Sequence, residues 1–255
     1  MEEDSPPDTI LTPIVTTKEY SFNFESLFAV VISVAVWRSA YTVIRLLLPN
    51  KSAEYCCRII TFIHGLLVAF IGINQCFLID SPFDHPDWVT THTQSLVMLA
   101  SLGYFIHDLE WCIRYQTEEK LMMAHHVYSV FAIFRMLVKG TSGAQATCAL
   151  GSMEITNPFL QLRWFIRSEG LYPSVLFNAV ETTFMIVFVA IRIVLGTYYM
   201  VIIVKQPKND WDFVLLSFTI YIMSWLFLIN IVKYLLVKYC GFDKKKMRDL
   251  HNKGS

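Results

Sequence analysis

The chain is short of charge. Only 16% of its 255 residues are Asp, Glu, Lys or Arg, against roughly 25% in a soluble domain. The 21 basic and 21 acidic side chains cancel. No basic excess remains to grip a phosphate backbone, so nucleic acid is excluded as a partner. Cysteine is sparse too. Cys56, Cys57, Cys76, Cys112, Cys148 and Cys240 include no CxxC pair, which speaks against a zinc ribbon and against a secreted disulfide framework. Cys76, Cys112 and Cys148 fall in or beside apolar runs and are expected to pack as small hydrophobes. Cys56, Cys57 and Cys240 sit just outside such runs, where S-palmitoylation is open to them. A cationic leader is also missing. Met1 to Asp8 is acidic and holds Pro6 and Pro7, so no signal peptide is expected, and residues 1–20 read as a mobile tail.

What the chain has in quantity is apolar surface. Hydrophobic residues make up 55% of it, with a mean hydropathy of +0.46. A bilayer core about 30 Å thick takes about 20 residues of helix. Seven segments approach that length: Phe24 to Leu48, Ile59 to Ile79, Thr93 to Ile113, Leu121 to Val138, Gly143 to Ile166, Val175 to Val204 and Trp211 to Val237. The expected fold is an all-α membrane protein with about seven transmembrane helices. Residues 21–53 form the first helix and its connection, 54–237 the main membrane domain, and 238–255 a basic tail.

Sidedness follows from Lys and Arg in the short loops. Lys51 and Arg58, Arg114 and Lys120, Arg163 and Arg167, and the Lys-rich tail share one side. The other side has only Lys18, Lys139, Lys205 and Lys208, and residues 80–91 carry Asp80, Asp84 and Asp87 without a cation. This pattern predicts a lumenal or extracellular N-terminus and a cytosolic C-terminus. The sequon Asn50-Lys51-Ser52 would then face the cytosol and stay unmodified.

Ionisable groups inside spans are costly and are functional candidates by default. His64, Asp108, His125, Asn157, Glu181 and Asn230 come from six different spans. At about 1.5 Å per residue, each lies roughly 6–13 Å in from the cytosolic end. Residues three, four and seven apart share a helix face. Tyr104, Asp108, Trp111 and Tyr115 therefore form one stripe, Glu154, Asn157 and Gln161 a second, and Asn178, Glu181, Met185, Phe188 and Arg192 a third. Turned inward, these stripes would make a polar chamber wrapped in lipid-facing surface. Adjacent His125 and His126 point about 100° apart, so both border a chamber only by flanking its wall. Two imidazoles beside a carboxylate are ingredients of acid–base or nucleophilic chemistry. Glu110 and Arg114, one helical turn apart, are expected to pair on the surface.

The string Leu121-Met122-Met123-Ala124-His125-His126-Val127-Tyr128-Ser129 resembles the double-histidine motif of the TLC-domain family, which includes the ceramide synthases. Gly103 to Leu109 before it and Glu154 to Phe165 after it extend the resemblance, which covers roughly residues 54–237. The resemblance implies that the last six helices form a barrel around a central cavity faced by the paired histidines. It implies a lipid-related role in the endoplasmic reticulum, with the plasma membrane second. In ceramide synthases an acyl chain passes from acyl-CoA to a sphingoid amine. Carried over, His125 is the acyl acceptor or general base, His126 stands beside it, and Asp108 supplies a carboxylate. Ceramide synthases carry a further His-Asp and Asp cluster on the helix after the histidine pair, where this chain has Glu154, Asn157 and Gln161.

Two functions follow. One is histidine-dependent acyl transfer to a lipid amine, with His125, His126 and Asp108 as catalytic residues. His64, Glu154, Asn157, Gln161, Glu181 and Asn230 would then contact substrate, and acyl-CoA would be the co-substrate. The alternative is a non-enzymatic lipid-binding protein that regulates membrane composition. Membrane lipids are the expected partners in both. No cofactor is expected. A zinc hydrolase would need about three ligands drawn from His64, Asp108 and His125. The last two spans contain no histidine, and no metal is expected.

Overall fold

The structure, a computed structural model, describes residues 20–77, 82–83, 85–116 and 118–239. The expectations for residues 1–19, Asp80, Asp84, Cys240 and the basic tail after it lie outside the described residues.

Helix dominates the described chain. In order, the helices are α1 (Phe24–Leu47), α2 (Ala53–Phe77), α3 (His92–Tyr115), α4 (Lys120–Lys139), α5 (Gly143–Glu154), α6 (Thr156–Ser168) and α7 (Val175–Phe188). A π-helical segment, Val189–Leu195, follows, then α8 (Gly196–Lys205) and α9 (Trp211–Tyr239). The described residues contain no strand, only an isolated bridge between Val89 and Thr141. Among the described residues, six helical runs are long and apolar enough to cross a membrane, with α7, the π segment and α8 counting as one run of 31 residues.

The fifth predicted span is the exception. It breaks at Ile155 into α5 and α6, of 12 and 13 residues. Pro158 is the physical cause. It lacks the N–H that would bond back to Glu154, and its ring crowds that carbonyl. The break falls inside the second polar stripe, between Glu154 and Asn157.

Local signals set the ends. Asn23 accepts from the Ser26 amide at 3.0 Å while the Ser26 hydroxyl accepts from the Asn23 amide at 3.3 Å, a reciprocal cap. Thr91 and Gln94 repeat that arrangement ahead of α3. Gly140 ends α4 with a left-handed φ of 73°, a conformation glycine adopts without strain.

Small residues set the closest helix contacts, as expected where lipid removes most of the hydrophobic drive for association. A Cβ on Gly72 would lie 2.3 Å from the Gly151 Cα, so α2 and α5 touch backbone to backbone. A Cβ on Gly103 would lie 2.1 Å from Ser33 Oγ, which fixes α3 against α1. Ser33 and Trp37 both donate to the Ala100 carbonyl at that crossing, at 3.2 and 3.0 Å.

Two sequence expectations fail here. Cys76 and Cys148 are joined in a disulfide with Cα atoms 4.9 Å apart rather than packing as free thiols. Each lies about one turn from its glycine at the Gly72–Gly151 crossing, and that close approach brings the sulfurs together. Glu110 pairs with Arg38 of α1 rather than with Arg114, because α1 packs along α3 and offers an inter-helix partner.

Beyond α1, helix α2 packs on α5 and α6, and α6 packs on α7. The π segment and α8 pack on α9, α9 meets α4, and α4 and α2 both pack on α3. Lys139 of α4 reaches Asp210 at 2.8 Å, and Arg135 pairs with Asp212, which ties the end of α4 to the start of α9.

Candidate functional site

A cavity of about 480 Å³ opens between the N-terminal end of α2, the C-terminal end of α3, the start of α4, and α6, α7 and α9. Asp108, His125, His126, Glu154, Asn157, Gln161 and Asn230 all line it. Four of the six spans predicted to contribute these polar groups therefore converge on one chamber. Both histidines reach it because it wraps around the end of α4, and their ring centroids are 5.8 Å apart.

The pair is not symmetric. Asp108 Oδ2 stands 3.2 Å from His126 Nδ1. The contact is close enough for charge attraction but off the angle of a good hydrogen bond. A carboxylate at Nδ1 favours the proton there and leaves Nε2 free to take another, the logic of a catalytic base held by an acid. Among the described residues, His125 has no such partner. Its Nδ1 is buried without a hydrogen bond, and its ring stands edge-on to Phe227 of α9.

The α5–α6 break carries a polar chain. Asn157 Nδ2 donates to Glu154 Oε2 at 3.0 Å, Gln161 Nε2 to Asn157 Oδ1 at 2.9 Å, and Arg58 Nη1 to Gln161 Oε1 at 3.1 Å. Arg58 also holds Glu54 at 2.9 Å and Glu118 at 3.5 Å, so it gathers α2, α6 and the α3–α4 loop at the cavity mouth. Burial pushes the Glu118 carboxyl above the ordinary glutamate range, with Arg58 pulling it back.

Two predicted contacts stand behind the wall. His64 is 1% exposed, stacks on Tyr104 at 3.7 Å and faces Ser101 at 3.3 Å. Its Nδ1 lies 3.8 Å from Glu154 Oε2, so it backs the chamber without lining it. Glu181 accepts from Arg163 at 2.9 Å, Tyr234 at 2.8 Å and Tyr239 at 3.2 Å, and pairs with Lys238. It clamps α7 to α6 and α9, and it too is absent from the lining.

Asp108, Cys112 and His126 hold their ligand atoms within 4.8 Å of one another, and Cys57 Sγ lies 3.7 Å from Asp108 Oδ1. This mixed set, looser than a tetrahedral zinc shell, is the group among the described residues that could hold a metal ion. His64 and His125, the other ligands weighed from sequence, are not part of it.

A second, apolar chamber of about 140 Å³ runs between α4, α5 and α9, lined by Tyr128, Ala132, Met136, Ala149, Leu150 and Ile220 among others. Phe105, His125, Glu154 and Arg192 belong to both chambers. Sequence reasoning placed Arg192 on the third polar stripe without assigning it to the site, and it missed Arg58 and Glu118 as site residues. Arg58 reads as a loop charge and Glu118 as part of a linker. The signal for Arg192 was a lone cation deep in the longest apolar run.

The TLC-domain family model matches residues 54–239. The chain is 26% identical over 127 residues to TLC domain-containing protein 4-B of Danio rerio, covering 49% of this chain and 47% of that protein. It is 25% identical over 150 residues to TLC domain-containing protein 4 of Homo sapiens, covering 56% of each. With TLC domain-containing protein 4-B of Xenopus laevis it is 27% identical over 154 residues, 59% of this chain and 58% of that one. The matched region spans about half the length of these relatives.

Proposed function

The chain belongs to the TLC-domain family, and from that premise we propose that this multi-pass membrane protein, whose role is lipid-related, transfers an acyl group to a lipid amine at His126. The observation that carries the reading is Asp108 Oδ2 at 3.2 Å from His126 Nδ1 on the wall of a chamber that also holds His125.

The succession α2, α5–α6, α7–α8, α9, α4 and α3 is read as a barrel around that chamber. The thioester of an acyl-CoA enters with its head group at the Arg58 and Arg167 mouth and its chain pointing inward. His126 Nε2 removes a proton from the amine as the nitrogen attacks the thioester carbonyl. The carbon–sulfur bond breaks, and the coenzyme A sulfur leaves with the proton that His126 returns. Asp108 holds the imidazolium in register while it is charged.

The mouth is assigned to the cytosol. The loop charges support this, and so does the Cys76–Cys148 disulfide, which lies toward the other end of α2 from Glu54 and Arg58. Disulfides persist on the oxidising side of a membrane. The endoplasmic reticulum is the assigned compartment.

The test is purified full chain in detergent with labelled acyl-CoA and long-chain amine acceptors. Labelled amide is expected from the wild type and not from His126→Ala. Undiminished amide formation by the His125→Ala, His126→Ala double variant would remove the proposal.

A second reading, lipid binding without turnover, is favoured by one observation. Glu154, Asn157 and Gln161 are tied to one another where ceramide synthases carry a His-Asp and Asp cluster. Lipid that co-purifies unchanged, with no amide from any acceptor, would select it.

A further inference from the structure

Arg192 is 8% exposed, in the middle of a membrane-crossing run. A buried guanidinium is costly unless an anion answers it. Among the described residues no carboxylate lies within ion-pair distance of it. Its one hydrogen bond runs from Nη2 to the Met153 carbonyl at 2.9 Å, and its Nε is buried without a partner. Glu154 acts on it only through charge at longer range, is already engaged by Asn157 and stands beside His64.

The Met153 bond explains a donor but not a charge. The α5–α6 break loosens the carbonyls there, and Thr156 Oγ1 already donates to Met153 at 3.1 Å. An uncharged amide could make the remaining bond. The backbone points the same way. Arg192 sits in the π-helical segment Val189–Leu195, whose wider turn stacks it over Phe188 with the guanidinium carbon 5.7 Å from the ring centre. Such turns are rare and cluster at functional positions.

Its location then specifies the ligand. Arg192 stands where the polar chamber meets the apolar one. On one side are His125, His126 and the mouth, and on the other is an apolar space of about 140 Å³. A cavity of about that size holds a benzene molecule, or about six carbons.

We propose that Arg192 anchors a single-chain acidic lipid, whose carboxylate or phosphate sits on the guanidinium and whose first carbons enter the apolar chamber between α4, α5 and α9. The proposal rests on the lipid-handling reading of the chamber and not on acyl-transfer chemistry.

The experiment displaces a fluorescent long-chain fatty acid from the purified full chain in non-ionic detergent. The competitors are palmitate, hexadecyl phosphate, hexadecanol and inorganic phosphate. Palmitate and hexadecyl phosphate should displace the probe, and their relative strength tells carboxylate from phosphate. Hexadecanol should be weaker by about tenfold or more, the scale of a charged hydrogen bond. Arg192→Gln keeps a donor for Met153 and should erase the gap between acid and alcohol, while Arg192→Lys should restore part of it. Equal competition by hexadecanol, an unchanged gap in Arg192→Gln, or inorganic phosphate as potent as the lipids would each overturn the proposal. If the glutamine variant does not fold, the acid–alcohol comparison on wild type decides alone. Acid binding without amide formation would sink only the acyl-transfer reading, whereas amide formation without acid preference would sink only this one.

Discussion

Glu181 and Arg192 ride the same helical run, and both are buried, yet the fold treats them in opposite ways. Glu181 meets Arg163, Tyr234, Lys238 and Tyr239, donors from α6 and α9 that occupy both of its oxygens. Arg192 meets one backbone carbonyl. Periodicity puts both on one stripe, so helix face does not separate them. Completeness of partners does. A saturated charge inside a membrane protein ties helices together, and an unsaturated one beside a cavity is left for a ligand.

The largest expected effect tests the saturated side. Glu181→Ala strands Arg163 and Lys238 at a helix junction, and removal of one partner of a buried pair costs about 3–5 kcal/mol. Thermal unfolding in detergent should show that loss. A variant as stable as wild type would mean that the four donors are not held by the carboxylate.

The unsaturated side should behave in reverse. His126→Ala should lower amide formation by about 100-fold or more, the usual contribution of a positioned base. Its unfolding temperature should stay near that of wild type, because His126 makes no hydrogen bond at Nδ1. Loss of stability in step with activity would place His126 with Glu181 as a structural group.

The frame shared by both regions gives an intermediate effect. Gly72→Ala sets a methyl 2.3 Å from the Gly151 Cα, which forces α2 from α5 at a cost of about 1–3 kcal/mol. Mass spectrometry after alkylation should also show a larger reduced fraction of Cys76 and Cys148. A fully formed disulfide with unchanged melting would argue that the crossing is looser than the contact implies.

The smallest effect is a matter of sign. Burial raises the Glu118 carboxyl, so its contribution to stability is present below the ordinary glutamate pKa and is lost as pH rises through the raised one. Glu118→Gln should therefore melt slightly above wild type at neutral pH, by less than about 1 kcal/mol, and converge with it near pH 4. Glu169, lowered by its hydrogen bonds from Lys51 and Tyr55, should show the reverse. Its contribution is lost as pH falls, so Glu169→Gln should melt below wild type at neutral pH.

Much of this was legible from residue order alone. Apolar run length placed the six helical runs long enough to cross a membrane, because a bilayer of fixed thickness demands a fixed length of helix, whereas the fifth expected span is broken into α5 and α6. Spacing of three and four residues put Glu154, Asn157 and Gln161 on one face, and they are joined in that order. The double histidine and Asp108 fell on one chamber as expected. What periodicity could not give was partner identity. His64 and Glu181 share the depth of the chamber residues, but only helix packing turned one onto Tyr104 and the other into a clamp. The Cys76–Cys148 bond depends on a glycine crossing between residues distant in the chain, and Arg38 replaces Arg114 at Glu110 for the same kind of reason.

The sequence by itself determined that this chain lies in a membrane and which stripes are polar, since both depend on residues near one another along the chain. Only the tertiary structure decided which histidine has a carboxylate beside it, which buried charge is satisfied, and which is left facing a cavity. Those outcomes depend on atoms from separate helices meeting within a few ångströms, a distance that spacing along one helix does not specify.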